Sequence, residues 1–185
     1  MSYMREEFKG LRSSLTVALV VAITAAGFAA CADEPTTPDS SEEANLPQGL
    51  NVYLTLDDRQ ASTGSSVLVT GKVRAVGVDL TPAGFLVRLT YDPAKLEPLA
   101  ARSLEDGVLR AINLEVAPGL VKAAGASANG LGTDILFELD MKVKKGGYAD
   151  DLSIAVDELG VIERNFADLA ADVVVMPQAV VVPSL

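Results

Sequence analysis

From residue 49 onward the chain alternates between apolar and polar positions. Leu50, Val52, Leu54 and Leu56 are interleaved with Asn51, Tyr53, Thr55 and Asp57. Val67, Val69, Gly71, Val73 and Ala75 make a second set. Phe85, Val87, Leu89 and Tyr91 make a third, with Leu86, Arg88 and Thr90 on its other side. The clearest set is Ile135, Phe137, Leu139, Met141 and Val143, whose neighbours Glu138, Asp140, Lys142 and Lys144 are placed in water. Side chains leave a strand on alternate faces, so this period predicts antiparallel strands with one dry face and one wet face. Further strands are expected over 108–116, 119–126, 152–156 and 173–182.

Turn signals separate these runs: Asp57-Asp58, Ser62-Thr63-Gly64, Thr81-Pro82, Asp92-Pro93, Pro118-Gly119, Asn129-Gly130 and Gly146-Gly147. The Asn129-Gly130 pair with Gly132 reads as a hairpin connection in preference to a mobile binding loop. Short helical turns are expected at 93–96 and near 165–170. Pro177 marks a bend or an edge in the apolar final run. Many short strands without a long amphipathic helix predict an all-β fold, a single antiparallel β-sandwich of about nine strands over 49–185.

The N-terminal part follows other rules. Arg5, Lys9 and Arg12 outnumber Glu6 and Glu7, and residues 15–30 (LTVALVVAITAAGFAA) carry no charge. That run is short for a bilayer span of about 20 residues and fits the apolar part of an export signal. The following Phe28-Ala29-Ala30-Cys31 resembles a bacterial lipobox, with Phe28 where Leu is usual. The resemblance implies that residues 1–30 are a lipoprotein signal peptide and that Cys31, the sole cysteine, is the lipidation site. The alternatives are an ordinary secretory signal cut nearby or a transmembrane anchor. Two or three acyl chains would hold the protein firmly, where one holds it marginally. The expected location is extracytoplasmic, lipid-anchored to a bacterial membrane. Ala32, standing where an Asp would favour inner-membrane retention, directs a Gram-negative protein to the outer membrane. Residues 31–48 are then the lipidated Cys and a flexible acidic tether, because ADEPTTPDSSEEANLPQ has too few apolar residues to fold.

Composition narrows the chemistry. Fifteen Lys and Arg stand against 25 Asp and Glu, a net charge of −10, which repels phosphate backbones and argues against a nucleic-acid partner. The chain has no His, so Ser-His-Asp and Cys-His mechanisms and His-ligated metals are excluded. One Cys forms no internal disulfide. The absence of Trp weakens the case for a sugar-stacking platform.

Residues 85–97 read FLVRLTYDPAKLE. This stretch resembles the strand and turn of cohesin domains, in which a strand ends in Tyr-Asp-Pro and a Leu follows. The turn has a physical logic. Tyr91 ends the buried face, Asp92 is suited to accept backbone N–H bonds, Pro93 presets φ, and Leu96 returns to the core. Residues 60–73, 132–144, 147–156 and 173–182 are similar to further cohesin segments in the same order. The resemblance implies a flattened jelly-roll sandwich that binds and does not catalyse. It also implies a partner: a dockerin-like module on another protein, plausibly a polysaccharide-degrading enzyme, gripped by one sheet face. In cellulosomal type I cohesins, Asn and Asp often stand seven and five residues before the Tyr and meet the dockerin. Here those positions are Gly84 and Leu86, which cannot make such bonds. The partner-binding residues expected from this strand are therefore Gly84, Leu86, Arg88 and Thr90.

The remaining candidates carry less. The neighbouring acids Asp57-Asp58, Asp150-Asp151 and Asp157-Glu158 are not catalytic pairs, because adjacent strand residues face opposite ways. No catalytic residue is assigned. No cofactor is assigned either. Clustered Asp would suit a structural Ca²⁺, but no EF-hand spacing is present and no metal ligand is predicted. Two alternatives to protein docking stay open: direct polysaccharide binding, with Tyr53 and Tyr148 as the exposed aromatic candidates, and a structural envelope lipoprotein.

Overall fold

The structure, a computed structural model, describes residues 45–176 and 179–181. The residues expected to form a signal peptide, Cys31, most of the expected tether and Pro177 lie outside the described residues. The strands are β1 (Gly49–Leu56), β2 (Ser66–Val76), β3 (Pro82–Thr90), β4 (Leu96–Ala101) and β5 (Leu109–Ala117). They continue as β6 (Leu120–Ala126), β7 (Ile135–Val143), β8 (Ser153–Val161), β9 (Val173–Val175) and β10 (Val180–Val181). One sheet runs β10-β1-β2-β7-β4, with β9 also on β1, and the other runs β5-β6-β3-β8. Their inner faces share one apolar core, to which Val52, Val69, Phe137, Leu139 and Met141 come from one sheet and Phe85, Val87, Leu89, Val121 and Leu159 from the other. The molecule is therefore the expected all-β sandwich, with neighbours antiparallel except at the closing strand.

The closing strand departs from expectation. It is two pieces, β9 and β10, and both run parallel to β1. Strand β4 was not anticipated at all. Its sequence, LEPLAA, has no apolar alternation, and only Leu96 is buried. Its pairing to β7 sets the strand, with a register shift between Pro98 and Ala100. Short helical turns lie at Ala149–Asp151, Ile162–Arg164 and Ala170–Asp172, the last two at the edges of the predicted 165–170. Asn129-Gly130 does not close a hairpin. It lies on the crossover from β6 in one sheet to β7 in the other, pinned by Leu131, which is buried and donates its N–H to the Pro82 carbonyl at 2.8 Å.

Strand β1 is buried on both faces, not half-buried. Tyr53 is fully buried with Leu46, and Val76 and Met176 pack against that pair. Asn51 on the same face is also fully buried and donates to the carbonyls of Pro47 (2.8 Å) and Gly49 (3.1 Å). The segment just before β1 thus belongs to the folded body from Leu46 onward.

Both sheets use the same packing device. Gly71 lies directly across from Phe137, and Gly125 directly across from Phe85. A Cβ on either glycine would overlap the facing ring. The missing side chain lets each ring lie flat over the neighbouring backbone. Strand β7 also carries an irregularity where Gly71 pairs with Phe137 but Lys72 with Ile135, leaving Leu136 without a partner. Leu136 is fully buried there, out of phase with the alternation.

The Tyr-Asp-Pro turn forms as its residues dictate. Asp92 Oδ1 accepts the Ala94 N–H at 2.8 Å, and the Asp92 carbonyl accepts from Lys95 (2.9 Å) and Leu96 (3.0 Å). Tyr91 donates its N–H to the Gly119 carbonyl at 3.0 Å. At φ +81° Gly119 adopts the left-handed conformation, and a Cβ there would come within 2.7 Å of the Tyr91 carbonyl.

Candidate functional site

Strand β3 sits between β6 and β8, so its inner residues are sealed and its outer ones form the middle of an open sheet face. Phe85, Val87 and Leu89 are buried, whereas Arg88 and Thr90 are exposed and Gly84 and Leu86 half-buried. All four predicted residues therefore share this face. The cross-strand register extends it. Leu120 stands across from Thr90, Lys122 from Arg88, Ala124 from Leu86 and Ala126 from Gly84. On β5, Leu109 stands across from Ala126 and Ala111 from Ala124.

The face is divided chemically. Around Arg88 it is charged. Arg88 donates through Nε to Asp157 Oδ1 at 2.9 Å, with Nη2 at 2.8 Å from the same oxygen. A register shift puts both Asp157 and Glu158 on the outer side of β8, with Glu158 across from Leu86. Toward Gly84 the face turns apolar. Leu109 is 81% exposed there and Phe166, from the loop after β8, 53% exposed. A trough of about 480 Å³ lies between them, lined also by Gly84, Ala126 and Gly160. Sequence reasoning missed this end. Leu109 had a signal, since Ile112 and Leu114 set the inner phase of β5 and leave Leu109 on the outer face. Phe166 had none, because its position depends on how the loop after β8 folds back.

That loop is held by backbone geometry. Asp168 Oδ1 accepts the N–H groups of Leu159 and Ala170, both at 2.9 Å, and these bonds hold its carboxyl below the usual range. Phe166 donates its N–H to the Val161 carbonyl at 2.9 Å, and Leu169 to that of Leu159 at 2.8 Å. Asn165 (φ 53°) and Phe166 (φ 61°) both sit in the left-handed region, which a bulky side chain rarely adopts.

The acidic turns serve the fold. Asp57 Oδ1 accepts the Leu68 N–H (2.9 Å) and Asp58 Oδ1 that of Gln60 (2.6 Å). Asp150 pairs with Arg59 at 3.0 Å, and Asp151 with Lys95. Among the described residues no group of three or more Cys, His, Asp or Glu is placed to hold a metal ion. The aromatic candidates for sugar stacking are corrected outright, because Tyr53 and Tyr148 are both fully buried. Tyr53 is covered by the Leu46 segment. Tyr148 donates its hydroxyl to the Asp58 carbonyl (2.8 Å) and accepts the Ala61 N–H (3.1 Å). Burial pushes its phenol above the ordinary value near 10.

No protein-family model matches the chain, and no curated protein matches it in sequence. Solved structures do match in shape. The seventh ScaB type I cohesin of Pseudobacteroides cellulosolvens superposes with a TM-score of 0.53 at 14% identity, over 75% of this chain and 96% of its own. A cohesin module from a Clostridium perfringens family 33 glycoside hydrolase gives 0.52 at 14% identity, over 70% and 100%. The chain has a cohesin-like fold. The second type II cohesin module of the ScaA scaffoldin of Acetivibrio cellulolyticus gives 0.52 at 12% identity, over 72% and 96%. A type I and a type II cohesin thus match to similar extents.

Proposed function

We propose that this protein is a non-catalytic docking module that binds a protein partner on the outer face of the β5-β6-β3-β8 sheet. The observation that carries this reading is the composition of that face. Leu109 and Phe166 are exposed at its Gly84 end and Leu86 is half-buried at its middle, with the exposed Arg88 and Thr90 beyond, on a sheet whose other side is sealed core. Apolar surface grouped in this way and ringed by polar residues is typical of interaction sites. The cohesin-like fold and the Tyr91-Asp92-Pro93 turn support a dockerin-like partner, carried in this reading by a polysaccharide-degrading enzyme. Binding would be an equilibrium without turnover. Leu86, at the centre of the face, should behave as an anchor. Full-length protein is used as bait for secreted proteins of the source organism, with Ca²⁺ and then with chelator. Leu86→Arg is expected to weaken capture of a Ca²⁺-loop partner by about tenfold or more while leaving the melting temperature unchanged. Capture unaffected by Leu86→Arg would move the site off this face.

The second part of the proposal is location. The Phe28-Ala29-Ala30-Cys31 run and the acidic segment after it support a lipid anchor and a spacer, presenting the domain beyond the membrane surface. Cys31→Ser is expected to abolish incorporation of labelled palmitate and to shift the protein from the membrane fraction, the outer membrane in a Gram-negative host. Unchanged labelling would refute the assignment of Cys31. Direct sugar binding has lost its aromatic candidates to the core.

A further inference from the structure

The trough at the Gly84 end of the docking face has a composition of its own. The exposed Leu109 and Phe166 line it together with the buried Phe85 and a run of Gly, Ala and Ser residues. Two carboxylates, Glu158 and Asp168, line it, and no Lys or Arg does. Asp168 has one oxygen committed to the Leu159 and Ala170 N–H groups. Glu158 is exposed and makes no ion pair among the described residues. Elsewhere on the face, by contrast, Asp157 is already neutralised by Arg88.

Phe166 is the unusual member of this lining. A half-exposed aromatic ring is unfavourable in water, and its backbone occupies a region that disfavours any side chain. The surrounding bonds to Val161 and the Asp168 loop hold it in place. Strain of this kind persists where the scaffold over-determines it, and such positions cluster at ligand clamps. A ring presented beside two carboxylates also suits a cation, which is attracted both by the carboxylates and by the face of the ring.

We propose that this trough receives one bulky apolar side chain of the partner, flanked in the partner's own chain by Lys or Arg. The proposal rests on the docking reading above and adds the chemistry of what is docked. Charge complementarity selects the occupant: apolar walls exclude a purely ionic ligand, and two carboxylates without a cation disfavour an acidic one. A second copy of this chain, at a net charge of −10, is disfavoured on the same ground.

The absence of Trp from the chain allows a direct test, because a peptide Trp is then the only indole in the sample. Full-length protein in detergent is titrated with two short peptides, one containing Lys-Leu-Trp-Lys and the other Glu-Leu-Trp-Glu, with detergent alone as the blank. Saturable binding with a blue shift of the Trp emission is expected for the Lys peptide, about tenfold or more tighter than for the Glu peptide. Phe166→Gly is expected to keep or raise the melting temperature, since glycine accepts the left-handed backbone, yet to weaken the Lys peptide about tenfold. Glu158→Gln should shrink the preference between the two peptides. Equal affinity for both peptides, or binding unchanged in a folded Phe166→Gly variant, would overturn the proposal. If a partner is captured and lost with Leu86→Arg but indifferent to Phe166→Gly and Glu158→Gln, the trough is wrong and the docking face stands. If neither partner nor peptide binds, both fail.

Discussion

Replacing Arg110 by Ala is expected to cost about 3 kcal/mol of folding stability, measured by chemical denaturation followed by circular dichroism. Arg110 lies on β5, and its side chain is only 8% exposed. It reaches across to the other sheet, donating through Nε to the Leu136 carbonyl and through Nη2 to the Ile135 carbonyl, both at 2.9 Å. These carbonyls flank the position at which β7 breaks register with β2. The guanidinium also makes a two-pronged pair with Asp106, at 2.6 and 2.7 Å. Truncation would leave two part-buried acceptors and a carboxylate without their donor, and would untie the sheets beside β5. Arg110→Lys should recover less than half of the loss, because a single ammonium cannot reproduce a planar fork. A loss below about 1 kcal/mol would mean that water replaces these bonds.

The same staple has a pH signature. The Arg110 hydrogen bonds, helped by the Val108 N–H, hold the Asp106 carboxyl below its ordinary value near 3.8, against the opposing effect of burial. A carboxyl depressed in the folded state contributes stability that is present above the unfolded value and lost as pH falls through the folded one. The contribution is therefore complete at neutral pH and disappears only in acid, below about pH 4. Arg110→Ala should flatten the pH dependence of stability in that window.

The second large effect is expected at Gly71. Gly71→Ala should destabilise by about 2 kcal/mol, because the new methyl would overlap the Phe137 ring in a core with no slack. Phe137→Leu removes the overlapping ring at its own cost from lost burial. The double variant should then be more stable than the sum of the two single losses allows, by about 1 kcal/mol or more. Strict additivity would show that the ring moves aside freely. The Gly125 and Phe85 pair offers the same test in the other sheet.

Much of the sandwich was legible because its signal is local. The inner residues of β2 and β3 were named in the correct phase, since alternation along one strand reports which side faces apolar surroundings. The same logic put Gly84, Leu86, Arg88 and Thr90 on one outer face. The Tyr91-Asp92-Pro93 turn was legible for a different reason: the Asp92 bonds that close it join residues within four positions of each other.

The failures share a physical cause. Tyr53 reads as outward from β1, and it is outward from that sheet's inner face. What buries it is Leu46 and Met176, on segments lying before and after the strand, and no periodicity reports that. Leu136 enters the core because β7 slips against β2. Strand β4 exists because β7 supplies a partner, not because LEPLAA prefers to be extended. The trough joins Leu109 and Phe166, 57 positions apart in the chain. By itself, then, the amino-acid order determined which residues face the core along β2 and β3, the turn after β3, the acidic character and the absence of histidine. Only the tertiary structure decided what covers the second face of β1, where register slips, and which distant side chains meet at the docking face. Those depend on pairings between remote segments, whose free energy is shared by both partners and written in neither alone.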